Sequence, residues 1–221
     1  MIKNYIISIL KENWDDYKKD LCPKDRRMNI LLEKGVEGMS TENIRFLFNE
    51  IVNKYAHNGV YLEVGMYRGC SLLSAALFNE STRCIGIDNF SQFDKERKNQ
   101  ELLKNNLSKF NNPENIEWYN KDYKEAIKDI FSKEPDLIVD VYFYDGNHSY
   151  RDQFDGLKIM LPYLADRCII IVDDFNWEEV ENANANFIKE NPFFKSLLKI
   201  NTEVNGSKDW HNGIEIIGRG F

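Results

Sequence analysis

The sequence predicts an α/β domain, a mostly parallel sheet with helices on both faces. Two observations carry that prediction. Short apolar runs at 60–64, 83–88, 115–119, 137–144 and 168–173 alternate with helix-period segments near 69–80, 92–110, 122–132 and 149–164, and parallel strands need crossovers of that size. Several runs also stop at an acid: CIGID at Asp88, VYFYD at Asp145, CIIIVDD at Asp173 and Asp174. In an open parallel sheet the ligand crevice lies at the carboxyl ends of the strands, so these acids mark one functional edge.

Composition sets the outer limits. A chain of 221 residues, 43% apolar and with 14 Phe and 11 Tyr, is long and apolar enough for one well-packed domain. Its net charge of −7 disfavours non-specific nucleic-acid binding, which needs basic patches, although CPKDRR is a local positive segment. Cys22, Cys70, Cys84 and Cys168 show no CxxC spacing, which points to a reducing cytoplasm rather than a disulfide or zinc framework. The start, MIKNYIISILKENWDDY, does not read as a signal peptide. No run reaches the ~18 apolar residues of a membrane span.

The elements follow in order. Residues 2–20 place Ile2, Tyr5, Ile6, Ile9 and Leu10 on one helical face. A loop around Pro23, Gly35 and Gly38 leads to Ser40 or Thr41, either of which can cap a helix reaching about Ala56. The apolar stripe of that helix is Ile44, Leu47, Phe48, Ile51 and Val52. The first strand then runs into YLEVGMYRGCS, with Glu63 near its end, Gly65 and Gly69 bracketing a turn, and a helix starting near Ser71. After a helix near 177–190, LLKINTEV and HNGIEIIGRG are strand-like, joined by a short polar turn at Asn205, Gly206 and Ser207. A tight link makes at least one of them antiparallel.

Three groups of residues carry chemistry. ExGxxxG differs from the GxGxxG of dinucleotide folds, and an acid before the loop suits a ligand bearing an ammonium group. Asp88, at the tip of the second strand, is placed to accept from two ribose hydroxyls. Together these features point to a nucleoside with a cationic amino-acid tail, the composition of S-adenosylmethionine. Asp122 follows the third strand, where it can accept from an exocyclic amine or cap the next helix. Asp145, Asp173 and Asp174 converge from adjacent strand tips. Their repulsion calls for a cation, and all-oxygen ligation favours Mg²⁺, Mn²⁺ or Ca²⁺ over zinc. His148 lies three residues beyond Asp145. With Gly146 allowing the chain to bend, it can point back over the crevice as a general base. His57 reads as a helix-end residue, and His211 is left open.

The pattern resembles the class I S-adenosylmethionine-dependent O-methyltransferases. YLEVGMYRGCS is similar to motif I of the metal-dependent catechol and caffeoyl-CoA type, including Tyr67 between the glycines and the final Ser71. YDGNHSY and IVDD look closer still to the macrocin and mycinamicin group of sugar O-methyltransferases, in which the aspartate and the histidine are metal ligand and base. The catechol type has a lysine as base and an Asn as third ligand, where this chain has His148 and Asp174. The resemblance covers about residues 59–175. It implies a Rossmann-like methyltransferase fold with seven strands, the last antiparallel. It implies S-adenosylmethionine contacts from Glu63, Gly65, Tyr67, Gly69, Ser71, Asp88, Asp122 and Asp145, and a cation, magnesium first, on Asp145, Asp173 and Asp174. Residues 59–221 would then be the catalytic domain and residues 1–58 a helical cap over the substrate side or a dimer contact. The acceptor would be a small-molecule hydroxyl on a sugar, polyketide or catechol, with no nucleic-acid or membrane partner and the oligomeric state open. Rival readings are a metal-independent methyltransferase, a non-catalytic nucleotide-binding module and a nicotinamide oxidoreductase.

Overall fold

The computed structural model describes residues 2–220. Seven strands, β1 (Val60–Val64), β2 (Arg83–Asp88), β3 (Ile116–Asn120), β4 (Val139–Tyr144), β5 (Leu164–Val172), β6 (Phe194–Ile200) and β7 (Ile214–Arg219), make one sheet in the order β3-β2-β1-β4-β5-β7-β6. β1 to β5 are parallel, and β7 is antiparallel to both β5 and β6. This is the seven-stranded, mostly parallel sheet that the sequence implies. Eight helices accompany it: α1 (Ile2–Asn13), α2 (Ile30–Glu33), α3 (Glu42–Tyr55), α4 (Cys70–Ala76), α5 (Asn99–Ser108), α6 (Tyr123–Lys133), α7 (Tyr150–Ile159) and α8 (Glu178–Glu190).

The strands are apolar throughout because helices cover both faces. Alternate residues feed two cores. Tyr61, Val141, Phe143, Ile169 and Ile171 face α1, α3, α4 and α5, packing with Ile9, Leu47, Leu73 and Leu103. Leu62, Tyr142, Tyr144, Ile170 and Val172 face α6, α7 and α8, packing with Ile127, Leu157 and Phe187. The N-terminal helices therefore share the main core. Trp14 meets Phe46 and Trp210 edge-on or tilted at 5.5 and 5.7 Å, and Trp210 Nε1 donates to the Tyr17 carbonyl at 2.5 Å. Thr41 caps α3, accepting from the Ile44 amide at 3.4 Å, and the stripe predicted for that helix is buried throughout. In α1, Ile6, Ile9 and Leu10 are buried and Tyr5 packs against the same core; the side chain of Ile2 lies outside the described residues.

Boundaries differ from the periodic reading where side chains capture the backbone. The first helix stops at Asn13 rather than near 20, because the Asp20 carboxylate takes the amides of Asp15 and Asp16. The helix expected from 92 begins at Asn99, where Asp94 takes the amides of Lys98 and Asn99. Residues 89–98 are instead irregular, with Phe90 and Phe93 at φ of 51° and 53°. The connection between β6 and β7 is not a short turn at 205–207. It spans residues 201–213 and folds over the sheet edge, held by Asn176, which accepts from the Thr202 amide at 3.0 Å. Among the described residues no helix is long and apolar enough to cross a membrane.

Candidate functional site

Strand order reverses between β1 and β4, and that switch opens a crevice at the carboxyl ends of the strands. A cavity of about 530 Å³ occupies it. Of the residues singled out from the sequence, Gly65, Tyr67, Asp88, Asp122, Asp145, His148, Asp173 and Asp174 line this cavity. Glu63, Gly69 and Ser71 are not among its lining residues.

Gly65 is fixed by packing. It has φ +95°, and a Cβ there would lie 1.9 Å from the Asp145 carbonyl oxygen. The tips of β1 and β4 meet at this point, with the Asp145 amide donating to Val64 at 2.9 Å. Glu63 is fully buried. It accepts from Tyr61 Oη at 2.6 Å and from Ser71 Oγ at 3.1 Å. Burial, opposed by those two bonds, pushes its carboxyl up to about 8. Glu63 thus ties β1 to the start of α4, and Ser71 is its partner rather than a cavity group. Gly69, at φ +80°, closes the turn and precedes α4; a Cβ there would meet Leu103 at 2.4 Å.

On the β2–β3 side the acids are held by backbone. Asp88 accepts from the Tyr67 amide through Oδ2 and from the Phe90 amide through Oδ1, both at 2.7 Å. Burial raises its pKa and these two donors oppose the rise. Asp122 caps α6, accepting from the Lys124 amide at 2.9 Å, while also facing the cavity. One side chain can serve as both cap and ligand contact.

On the β4–β5 side the acids face one another. Ligand atoms of Asp145, His148 and Asp174 all lie within 4.8 Å of each other. His148 Nε2 is 3.0 Å from Asp174 Oδ2. Asn212 Nδ2 donates to the other Asp174 oxygen. Asp173 stands behind this group, its Oδ1 accepting from the Asp174 amide at 2.9 Å. Burial, then the charges of Asp173, Asp174, Glu63 and Asp88, push the Asp145 carboxyl well above its ordinary range. Burial and Asp174 push Asp173 up to about 8. For Asp174 burial also works upward, but the hydrogen bond and charge of His148, with Asn212, hold it below the usual value. The hydrogen bond to Asp174 raises the pKa of His148 against the effect of burial. Its ring stacks on Trp177 at 5.7 Å. Gly146 is not left-handed; a Cβ there would come within 2.7 Å of the Tyr144 ring, so it supplies room rather than a bend. Two carboxylates and an imidazole in mutual reach, backed by a third carboxylate, are a donor set that fits a divalent cation.

Sequence reasoning missed the rest of the wall. Met39 arrives from the loop before α3, Trp177 from the start of α8, and His211 and Asn212 from the 201–213 connection. The only local signal was a histidine and an amide side by side before the last strand.

Comparison with known proteins agrees with this geometry. A family model described as a methyltransferase domain matches residues 62–175, just over half of the chain. A search of curated proteins found no match. Among solved structures, a Staphylococcus aureus protein assigned as a caffeoyl-CoA O-methyltransferase is similar with a TM-score of 0.64 at 16% identity, covering 99% of each chain. An O-methyltransferase of Bacillus cereus in complex with SAH gives 0.63 at 13% identity, covering 99% of this chain and 97% of that one. TomG, an O-methyltransferase of tomaymycin synthesis from Streptomyces achromogenes in complex with SAM, gives 0.59 at 13%, covering 100% and 96%.

Proposed function

The chain belongs to the methyltransferase-domain family, and from that premise we propose that it is an S-adenosylmethionine-dependent O-methyltransferase. Its acceptor is a small molecule with neighbouring hydroxyls, and a divalent cation, Mg²⁺ first, assists. The observation that carries this reading is the convergence of Asp145, His148 and Asp174 in the same cavity as Gly65 and Asp88. A cofactor site and a cation-fitting donor set share one crevice, as metal-assisted methyl transfer requires. The SAH and SAM named with two of the similar structures support the cofactor.

Bound S-adenosylmethionine supplies an already activated methyl group, so the protein's task is to place an oxygen nucleophile in line with it. Asp145 and Asp174 would hold a divalent ion, whose charge would lower the pKa of an acceptor hydroxyl. Asp88 accepts from the ribose, with its orientation set by the two backbone amides. Asp122 meets the adenine edge. Glu63 acts from below, fixing the turn between β1 and α4 through Ser71. His148 takes the proton of the attacking hydroxyl, and Asp174 raises its basicity while Trp177 fixes the ring. The DGNH segment supports a likeness to the macrocin and mycinamicin group of sugar O-methyltransferases. The net charge of −7 and the cysteine pattern fit a cytoplasmic small-molecule enzyme rather than a nucleic-acid modifier.

The 4.8 Å grouping also favours a second role for His148, as a third ligand. His148→Ala separates the two. A base is lost with a fall in kcat of about 10²–10⁴ at unchanged metal affinity; a ligand is lost with weaker metal binding. The primary test is calorimetry with S-adenosylhomocysteine and with NADH, followed by exhaustive chelation. Binding of the former and loss of turnover on chelation are expected. NADH binding alone would remove the cofactor assignment, and full activity after chelation would make the acid cluster structural.

A further inference from the structure

His211 combines two uncommon features. It is a non-glycine residue at φ 55°, a conformation that concentrates where surrounding structure imposes it. Its backbone is tightly held: the amide donates to Ser207 at 3.1 Å, and the carbonyl accepts from the Ser207 amide at 2.9 Å and from Thr202 Oγ1 at 3.2 Å. Its imidazole lines the cavity, yet Nδ1 is buried without a hydrogen-bond partner. Buried polar atoms are nearly always paired, and an exception calls for an explanation. Nδ1 is enclosed by protein, and no hydrogen bond among the described residues engages Nε2, which leaves Nε2 as the nitrogen that can reach a molecule in the cavity. The neighbouring Asn212 holds Asp174, so the loop that presents this imidazole is anchored to the proposed cation cluster.

We infer that His211 is an acceptor-binding residue, which holds through Nε2 the second hydroxyl of a vicinal diol or catechol, the oxygen that is not methylated. The inference rests on the methyltransferase reading above and adds to it the residue that recognises the acceptor. His148 follows β4 and His211 precedes β7, the two strands that flank β5, and Asp174 is bonded to His148 directly and to the His211 loop through Asn212. Two neighbouring hydroxyls of one acceptor would then meet different imidazoles. One is paired with a carboxylate and suited to take a proton. The other is unpaired and suited to share a hydrogen bond. Burial lowers the proton affinity of His211 against the pull of Asp174, in keeping with a neutral ring.

The test uses the whole protein, labelled with ¹⁵N-histidine, with S-adenosylhomocysteine and Mg²⁺ present and catechol (1,2-dihydroxybenzene) as probe. His211→Asn identifies the resonance. Asn tolerates the left-handed backbone, and its amide reaches only as far as Nδ1. His211→Gln reaches the position of Nε2. Catechol should shift the His211 Nε2 resonance. Its affinity should fall about five- to tenfold in His211→Asn, the loss expected from one hydrogen bond, and recover in part in His211→Gln. S-adenosylhomocysteine affinity should stay the same in all three. The inference is overturned if S-adenosylhomocysteine binds but catechol does not, or if catechol binds with Nε2 unmoved or equally well in His211→Asn. If S-adenosylhomocysteine itself fails to bind, the methyltransferase reading falls and this inference with it.

Discussion

The two halves of the crevice treat their carboxylates in opposite ways. On the β2–β3 side, Asp88 and Asp122 are each met by backbone amides at 2.7–2.9 Å. On the β4–β5 side, Asp145, Asp173 and Asp174 press on one another, relieved only in part by His148 and Asn212. The first half is preorganised by the fold and needs no further charge to be stable. The second keeps its carboxylates in mutual repulsion, which the proposed cation would relieve. On the proposed reading, satisfying one set of acids and frustrating the other would separate a recognition surface from a reactive one.

Gly65 joins the halves, and breaking it should have the largest effect. Gly65→Ala puts a Cβ 1.9 Å from the Asp145 carbonyl at φ +95°, so both the β1 tip and the metal-side tip must move. A loss of stability on the order of 3 kcal/mol is expected, read by chemical denaturation, together with loss of both S-adenosylhomocysteine and Mg²⁺ responses. A variant that loses only one response would show that the halves are independent.

Asp88→Ala attacks the preorganised half alone. It removes the acceptor for the Tyr67 and Phe90 amides and, on the proposed reading, for the ribose of the cofactor. S-adenosylhomocysteine binding should weaken by about 1.5–3 kcal/mol, the range for hydrogen bonds to a charged group. Calorimetry checks this, and the Mg²⁺-induced rise in melting temperature should persist. Loss of that rise would contradict the division.

How much of this was legible in the sequence follows the same division. The acids that end strands could be read directly, because an apolar run cut off by Asp is a local signal, and Asp88, Asp145, Asp173 and Asp174 all reach the cavity. Glu63 has the same look on paper but is fully buried, because it ends a strand at the sheet's centre and turns toward Ser71. Residues 92–98 carried helical spacing, yet Asp94 took the amides of Lys98 and Asn99. The wall built by His211 and Asn212 was not legible. Its partners lie 38 residues away for Asn212 and Asp174, and 193 for Trp210 and Tyr17. No local pattern encodes contacts of that range.

The frustrated half should show itself in pH dependence. Unfolded aspartates titrate near ~3.9, while Asp173 is pushed up to about 8 and Asp145 also upward. The folded, metal-free protein therefore holds protons that the unfolded chain releases. Its stability from these groups is full below about pH 4 and is lost as pH rises toward the folded values. Asp145→Asn replaces an ionisable group with a neutral one of the same shape. It should stabilise the metal-free protein at pH 8 by roughly 1–2 kcal/mol, flatten the pH slope and abolish the Mg²⁺ response. In the unaltered protein, Mg²⁺ should raise the melting temperature more at pH 8 than at pH 6. Equal slopes for the two proteins would mean that the acids are not in electrostatic conflict.

The smallest effect belongs to Asp122, where two roles share one carboxylate. As a cap it accepts the Lys124 amide at the start of α6; as a wall group it faces the adenine side of the proposed cofactor site. Serine is an equally good cap but carries no charge and reaches less far. Asp122→Ala should cost about 1 kcal/mol of stability, and Asp122→Ser close to none. If capping were its whole role, S-adenosylhomocysteine affinity in Asp122→Ser would match the parent protein. If it also accepts from an amine, Asp122→Ser should keep its melting temperature and lose about 1.5–3 kcal/mol of binding. The second outcome is expected, because the Lys124 amide occupies only Oδ1 and leaves the other oxygen able to accept from a ligand.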